Sequence, residues 1–144
     1  MALNFRESMP ARWEVSVAKI LIVDWEEEER VYLWSVLEDA GHDLLFAAHG
    51  EAALEVWREK DLDLVITELY LPELNGLRLI KELVAQNPGA LILAISEISA
   101  DQLDLAEDYG ACRILAKPVA PEVLLSAVNQ ILKLQKTVRR YDWM

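Results

Sequence analysis

Lys19-Ile20-Leu21-Ile22-Val23-Asp24 decides the fold: it is a nearly unbroken apolar run that ends on a carboxylate. A strand with one wet face alternates apolar and polar residues, whereas a strand covered on both faces is apolar throughout. The run therefore reads as an inner strand of a parallel sheet. Three similar runs follow. Leu64-Val65-Ile66-Thr67 leads into Glu68, Leu91-Ile92-Leu93-Ala94-Ile95 into Ser96, and Cys112-Arg113-Ile114-Leu115-Ala116 into Lys117-Pro118. In an open parallel α/β sheet the carboxyl edges of the strands form the ligand crevice. Asp24, Glu68, Ser96 and Lys117 are thus expected to meet in one pocket, with the groups of a partly rebuilt phosphate-and-metal site.

Outward from these runs, strand and helix patterns alternate along the chain. Strands are expected at about 19–23, 43–48, 63–68, 90–95 and 112–116, and helices at about 26–40, 51–60, 76–86, 99–108 and 121–135. Pro121 falls at a helix start, where its missing N–H costs nothing. Gly41, Gly89 and Gly110 follow helical stretches, where a left-handed cap or turn is expected. Such alternation predicts a parallel sheet wrapped by helices. Residues 1–18 read as an N-terminal extension with the composition of a flexible leader, 19–135 as one domain, and 136–144 as a short tail. The chain leaves no room for a fused output domain, so a stand-alone module is expected.

A length of 144 residues suits a single core, and the net charge of −11 disfavours nucleic acid and anionic membrane as partners. Residues 1–18 have no apolar stretch of signal-peptide type, and no run is long enough to span a bilayer. Cys112, the single cysteine, lies in an apolar run and is expected to be a buried, inert thiol, consistent with a cytoplasmic location. His42 and His49 have no second ligand at metal spacing and read as turn or surface histidines.

The ordered set of motifs resembles the receiver domain of bacterial response regulators, the phospho-accepting half of two-component signalling. The resemblance covers residues 19–135. It rests on the run ending at Asp24, Ala40-Gly41-His42, Glu51-Ala52-Ala53-Leu54, the run from Asp63 through Glu68 to Pro72, Asn75-Gly76, Gly110-Ala111 and Ala116-Lys117-Pro118. It implies a CheY-like, flavodoxin-like (βα)5 three-layer sandwich with a five-stranded parallel sheet in the order 2-1-3-4-5. It also implies a phosphoryl group passed from a histidine kinase to an aspartate with the help of Mg²⁺.

Several positions depart from the family pattern. Asp24 matches the first acid of the acidic pair, but the second is Trp25. The phosphoacceptor position holds Glu68. The hydroxyl position is kept as Ser96, yet the small residue expected after it is Glu97. The aromatic switch position is Ile114, whereas Lys117 and Pro118 are intact. The extra methylene of Glu68 moves its carboxylate by about 1–1.5 Å, and a misplacement of that size can cost about a hundredfold in rate. Asp24 and Glu68 can supply two oxygens to Mg²⁺, with a backbone carbonyl near Tyr70 as a third. Trp25 offers none and is expected to crowd the pocket, and Glu97 places a negative charge where a phosphoryl group would sit. The expected metal site is weak or absent. Glu68 is expected to reach Lys117 and Ser96, either imitating the phosphorylated form or leaving a switch frozen by Ile114.

The expected function is that of an atypical receiver, not an enzyme, which binds a histidine kinase or a downstream effector without normal aspartyl phosphorylation. A slow phosphoacceptor using Glu68 is one alternative. A small-molecule binder on the same fold is another, disfavoured because no Gly-rich loop follows Asp24. Asp24, Glu68 and Lys117 also admit a plain reading as a structural ion-pair cluster. In the first helix, Tyr32, Leu33, Val36, Leu37 and Ala40 have core spacing. Val31 and Trp34 are left on the outer face as a candidate partner surface, which Trp25 can extend. The fourth helix is acidic along Asp101, Asp104, Glu107 and Asp108, on the face the family uses for docking and dimers. It suggests a solvated helix or a basic partner, and homodimerisation stays open.

Overall fold

A computed structural model describes residues 17–97 and 100–141, with side chains described for 17–97 and 104–134. The strands are β1 (Lys19–Val23), β2 (Asp43–Ala47), β3 (Leu64–Glu68), β4 (Ile92–Ser96) and β5 (Arg113–Ala116). The helices are α1 (Glu27–Asp39), α2 (Gly50–Glu59), α3 (Gly76–Gln86), α4 (Ala100–Tyr109) and α5 (Pro121–Tyr141). All strand pairs are parallel, and the order across the sheet is β2-β1-β3-β4-β5. This is the expected flavodoxin-like α/β fold. The last helix continues to Tyr141, beyond its expected end near 135. Ala18, at the end of the presumed extension, is already buried, with its N–H donating to His42 Nδ1 at 3.1 Å.

Strand alternation builds a core on each face of the sheet. Ile20 and Ile22 of β1, Leu64 and Ile66 of β3, and Leu93 and Ile95 of β4 pack with Leu33 and Leu37 of α1 and Leu124, Val128 and Ile131 of α5. The intervening Leu21, Val23, Val65, Ile92 and Ala94 pack with Ala53, Leu54, Leu79, Ile80, Leu83 and Ala106 of α2, α3 and α4. Successive side chains of a strand point to opposite faces, so every inner strand residue finds an apolar neighbour. That explains why these strands are apolar throughout. The two edge strands are less covered, and Phe46 on β2 is 56% exposed.

Several local expectations need correction. Cys112 is exposed, because it stands just before edge strand β5, where the sheet is covered less. His42 is buried, and its ring accepts the Ala18 N–H. His49 is exposed and caps α2, its Nδ1 accepting from Ala52 N at 3.2 Å. Gly41 (φ 89°) and Gly110 (φ 122°) take the left-handed conformation expected after a helix, whereas Gly89 does not. Tyr32 lies at the rim of the core, its hydroxyl donating to the Val119 carbonyl, and is 36% exposed.

Gly76 fixes the distance between α3 and the end of β3. A Cβ there would stand 2.2 Å from the Glu68 carbonyl oxygen and 2.6 Å from Leu69 Cα. The Gly76 N–H donates to the Leu69 carbonyl at 2.9 Å, and Asn75 caps the helix by accepting from Arg78 N. Since the obstacle is backbone, Gly76→Ala is expected to destabilise the fold by about 1–3 kcal/mol. Chemical denaturation checks this; an unchanged midpoint would show that the helix start shifts freely.

Candidate functional site

The strand order brings the four residues together. β3 lies between β1 and β4, so Asp24, one residue beyond β1, and Ser96, the last residue of β4, flank Glu68 at the end of β3. Register completes the alignment: Glu68 pairs with Ile95, and Ser96 pairs with Ala116, one residue before Lys117. The Lys117–Pro118 peptide is cis.

Lys117 reaches back across the sheet edge and bridges both acids. Its Nζ donates to Glu68 Oε2 at 2.6 Å and to Asp24 Oδ2 at 2.9 Å. The three side chains are almost out of solvent, at 5%, 5% and 1% accessible for Lys117, Glu68 and Asp24. The other Glu68 oxygen, Oε1, accepts from Leu69 N at 2.8 Å, from Tyr70 N at 3.0 Å and from the Ser96 hydroxyl. Asp24 Oδ1 accepts from Glu26 N at 3.0 Å. Glu68 therefore spends its acceptor capacity inside the protein, while Asp24 gives one oxygen to the Lys117 ammonium and the other to a backbone N–H.

Burial by itself would lower the pKa of Lys117. Hydrogen bonds to Glu68 and Asp24, together with their charges, outweigh it and hold the ammonium above its ordinary value. A folded-state value above the unfolded one makes this stabilisation fully present below the ordinary pKa of 10.5. It is lost only as pH climbs through the higher folded value.

Two residues on α1 belong to the same surroundings. Glu29 stands 3.8 Å from Lys117 Nζ. Burial raises its carboxyl pKa; Lys117 opposes the rise, while Asp24, Glu26 and Glu97 add repulsion. Arg30 donates from Nη1 to the Asp24 backbone carbonyl at 2.8 Å, steadying the turn that carries Asp24. No sequence signal marked Arg30, because its partner is a main-chain oxygen.

The remaining predicted positions lie around this centre. Trp25 is 52% exposed, so its ring is not what fills the pocket: the Lys117 ammonium lies between the acids. Glu97, the residue after β4, is exposed. Ile114 on β5 is half-buried beside Ala94 and packs against the core shared with α2, α3 and α4. Val31 is exposed, and Trp34 is half-buried rather than free, with an edge-to-face contact to Phe46. On α4, Asp104, Glu107 and Asp108 are exposed, while the Asp101 side chain lies outside the described residues.

The donor set fits Mg²⁺ poorly. Asp24 and Glu68 both face an ammonium ion, and Trp25 supplies no oxygen. Among the described residues there is no group of three or more His, Cys, Asp or Glu placed to hold a metal.

The profile of the response regulator receiver domain matches residues 20–129. The chain therefore belongs to that family, whose members work in two-component signalling and are not classical enzymes. It is 30% identical to the chemotaxis protein CheY of Thermotoga maritima, over 80% of this chain and 98% of CheY. It is 32% identical to protein PilH of Pseudomonas aeruginosa, over 81% of this chain and 98% of PilH. The sensory/regulatory protein RpfC of Xanthomonas campestris is 35% identical over 83% of this chain, which spans 17% of RpfC. A receiver domain from Clostridium thermocellum superposes with a TM-score of 0.81 at 28% identity, covering 85% of this chain and 99% of that one. No helix among the described residues is long and apolar enough to cross a membrane.

The ion cluster sets a clear expectation for stability. Lys117→Met leaves two buried carboxylates facing each other without a counter-charge and should cost about 3–5 kcal/mol at neutral pH. Glu68→Gln keeps the Lys117–Asp24 pair and should cost less, about 1–3 kcal/mol. Denaturant titrations of both variants at pH 7 test the order; equal losses would show that Lys117 is not shared.

Proposed function

We propose that this chain is an atypical cytoplasmic receiver domain that acts by binding another protein, a histidine kinase or a downstream effector. In this reading aspartyl-type phosphorylation is impaired or absent. One observation carries it: Glu68, at the phosphoacceptor position, already accepts from Lys117 and Ser96, the groups that an incoming phosphoryl group would engage. Phosphoryl transfer depends on an unencumbered nucleophile in line with the donor and on neutralisation of the donor's charge. Here Oε1 holds three hydrogen-bond donors and Oε2 holds the ammonium. Mg²⁺ is proposed to bind weakly or not at all, for want of a second acid beside Asp24.

The same contacts favour a second, finer reading, in which Glu68 imitates the phosphorylated state. Its longer side chain engages Ser96 and Lys117 without a phosphoryl group. Activation in such a fold is a shift between two packed arrangements, and the Glu68 contacts bias that equilibrium. Ile114 has no aromatic ring to report the shift, so the arrangement would be held rather than switched.

Incubation with acetyl phosphate and Mg²⁺ followed by intact-mass measurement tests impaired phosphorylation. The unmodified chain should stay unphosphorylated, whereas the Trp25→Asp/Glu68→Asp variant should gain a phosphate adduct. A near-stoichiometric adduct on Glu68 in the unmodified chain would defeat the reading in favour of a slow phosphoacceptor. For the mimicry, Glu68→Gln should weaken binding to an identified partner; unchanged affinity would count against it.

A further inference from the structure

On the flank of α1 away from the Tyr32–Val119 contact lies an open groove of about 310 Å³, lined by Glu27, Arg30, Val31, Trp34 and Phe46. It joins α1 to edge strand β2. Val31 is 61% exposed and Phe46 56% exposed. The Trp34 and Phe46 rings meet edge-to-face, their centroids 6.3 Å apart, and the Trp34 indole N–H donates to Glu38. The Arg30 guanidinium lies 5.2 Å from the Phe46 centroid while also donating to the Asp24 carbonyl. The groove thus has a preformed aromatic wall rather than scattered apolar side chains. Through Arg30 it also touches the turn that carries Asp24.

The geometry points to this groove as a docking site for a basic amphipathic segment of another protein, which places one large apolar side chain against Trp34 and Phe46. Charge selects the occupant. Glu27 lines the groove and Glu38 accepts from the Trp34 indole, while the lining cation Arg30 is already engaged with Phe46 and Asp24. An apolar wall rimmed by carboxylates suits a partner with an apolar stripe flanked by Lys or Arg. A second copy of the chain would bring two such acidic helices together, and the net charge of −11 adds to that repulsion.

This inference rests on reading the chain as a binding module but needs no statement about phosphorylation. An adduct on Glu68 with intact groove binding would remove the impaired-phosphorylation reading and leave this one. Unphosphorylated protein with an empty groove would do the reverse.

The test uses the full chain with a model amphipathic peptide of leucine and lysine, and the same peptide with glutamate in place of lysine. Titration followed by NMR should show the lysine peptide moving the Val31, Trp34 and Phe46 resonances, and the glutamate peptide moving none. Trp34→Glu should weaken binding roughly thirtyfold or more, as for a central aromatic anchor. Val31→Glu, at an exposed position that packing does not need, should weaken it roughly tenfold. Both substitutions make the surface more acidic, so attraction by charge alone would become tighter. Unchanged or tighter binding in these variants, or shifts confined to another face, would overturn the proposal. So would self-association in sedimentation that Val31→Glu abolishes, because the occupant would then be a second copy.

Discussion

One ammonium ion shared by two buried carboxylates organises the functional end of this protein. Lys117 follows the last strand, yet its side chain is held by Asp24, one residue past the first strand, and by Glu68, the last residue of the third. Bringing an Asp, a Glu and a Lys out of water is unfavourable unless each charge finds a partner and the remaining lone pairs are hydrogen-bonded. Here the condition is met by backbone N–H groups of Glu26, Leu69 and Tyr70 and by the Ser96 hydroxyl. The strand ends must therefore hold their register, and Gly76 lets α3 close against the end of β3.

Under the proposed reading, the same interaction separates this receiver from one built to be phosphorylated. An acceptor must present a carboxylate oxygen to an incoming phosphoryl group, with a metal ion and an ammonium free to balance the charge. The Glu68 carboxylate instead accepts from the Lys117 ammonium and the Ser96 hydroxyl. On that proposal the contacts hold one conformation in place of a cycle between two.

The acidic helix α1 has two flanks of different character. On one, Tyr32 ties the helix to the residues after β5 through the Val119 carbonyl. On the other, Val31, Trp34 and Phe46 expose an aromatic wall, and Arg30 joins that wall to the backbone beside Asp24. A single cation thus bridges the outer groove and the inner cluster, although its side chain enters neither carboxylate contact.

The strand runs and their terminal residues were legible in the sequence because burial on both faces leaves an apolar signature that needs no knowledge of neighbours. The receiver resemblance and the departures at Trp25, Glu68, Glu97 and Ile114 were likewise a matter of residue identity. The sequence admitted an Asp24–Glu68–Lys117 ion cluster as one reading, but could not reveal that Glu29 joins its surroundings or that Arg30 grips a main-chain carbonyl. Those contacts depend on side-chain reach across a parallel sheet, and one partner is backbone. Phe46 was missed for a related reason: it pairs with Trp34 only because edge strand β2 lies beneath α1. Cys112 and His42 went the other way from expectation because tertiary neighbours, an edge strand for one and Ala18 for the other, decide exposure when residue type does not. Local chemistry is written residue by residue, whereas which charges become neighbours is settled by strand order and register.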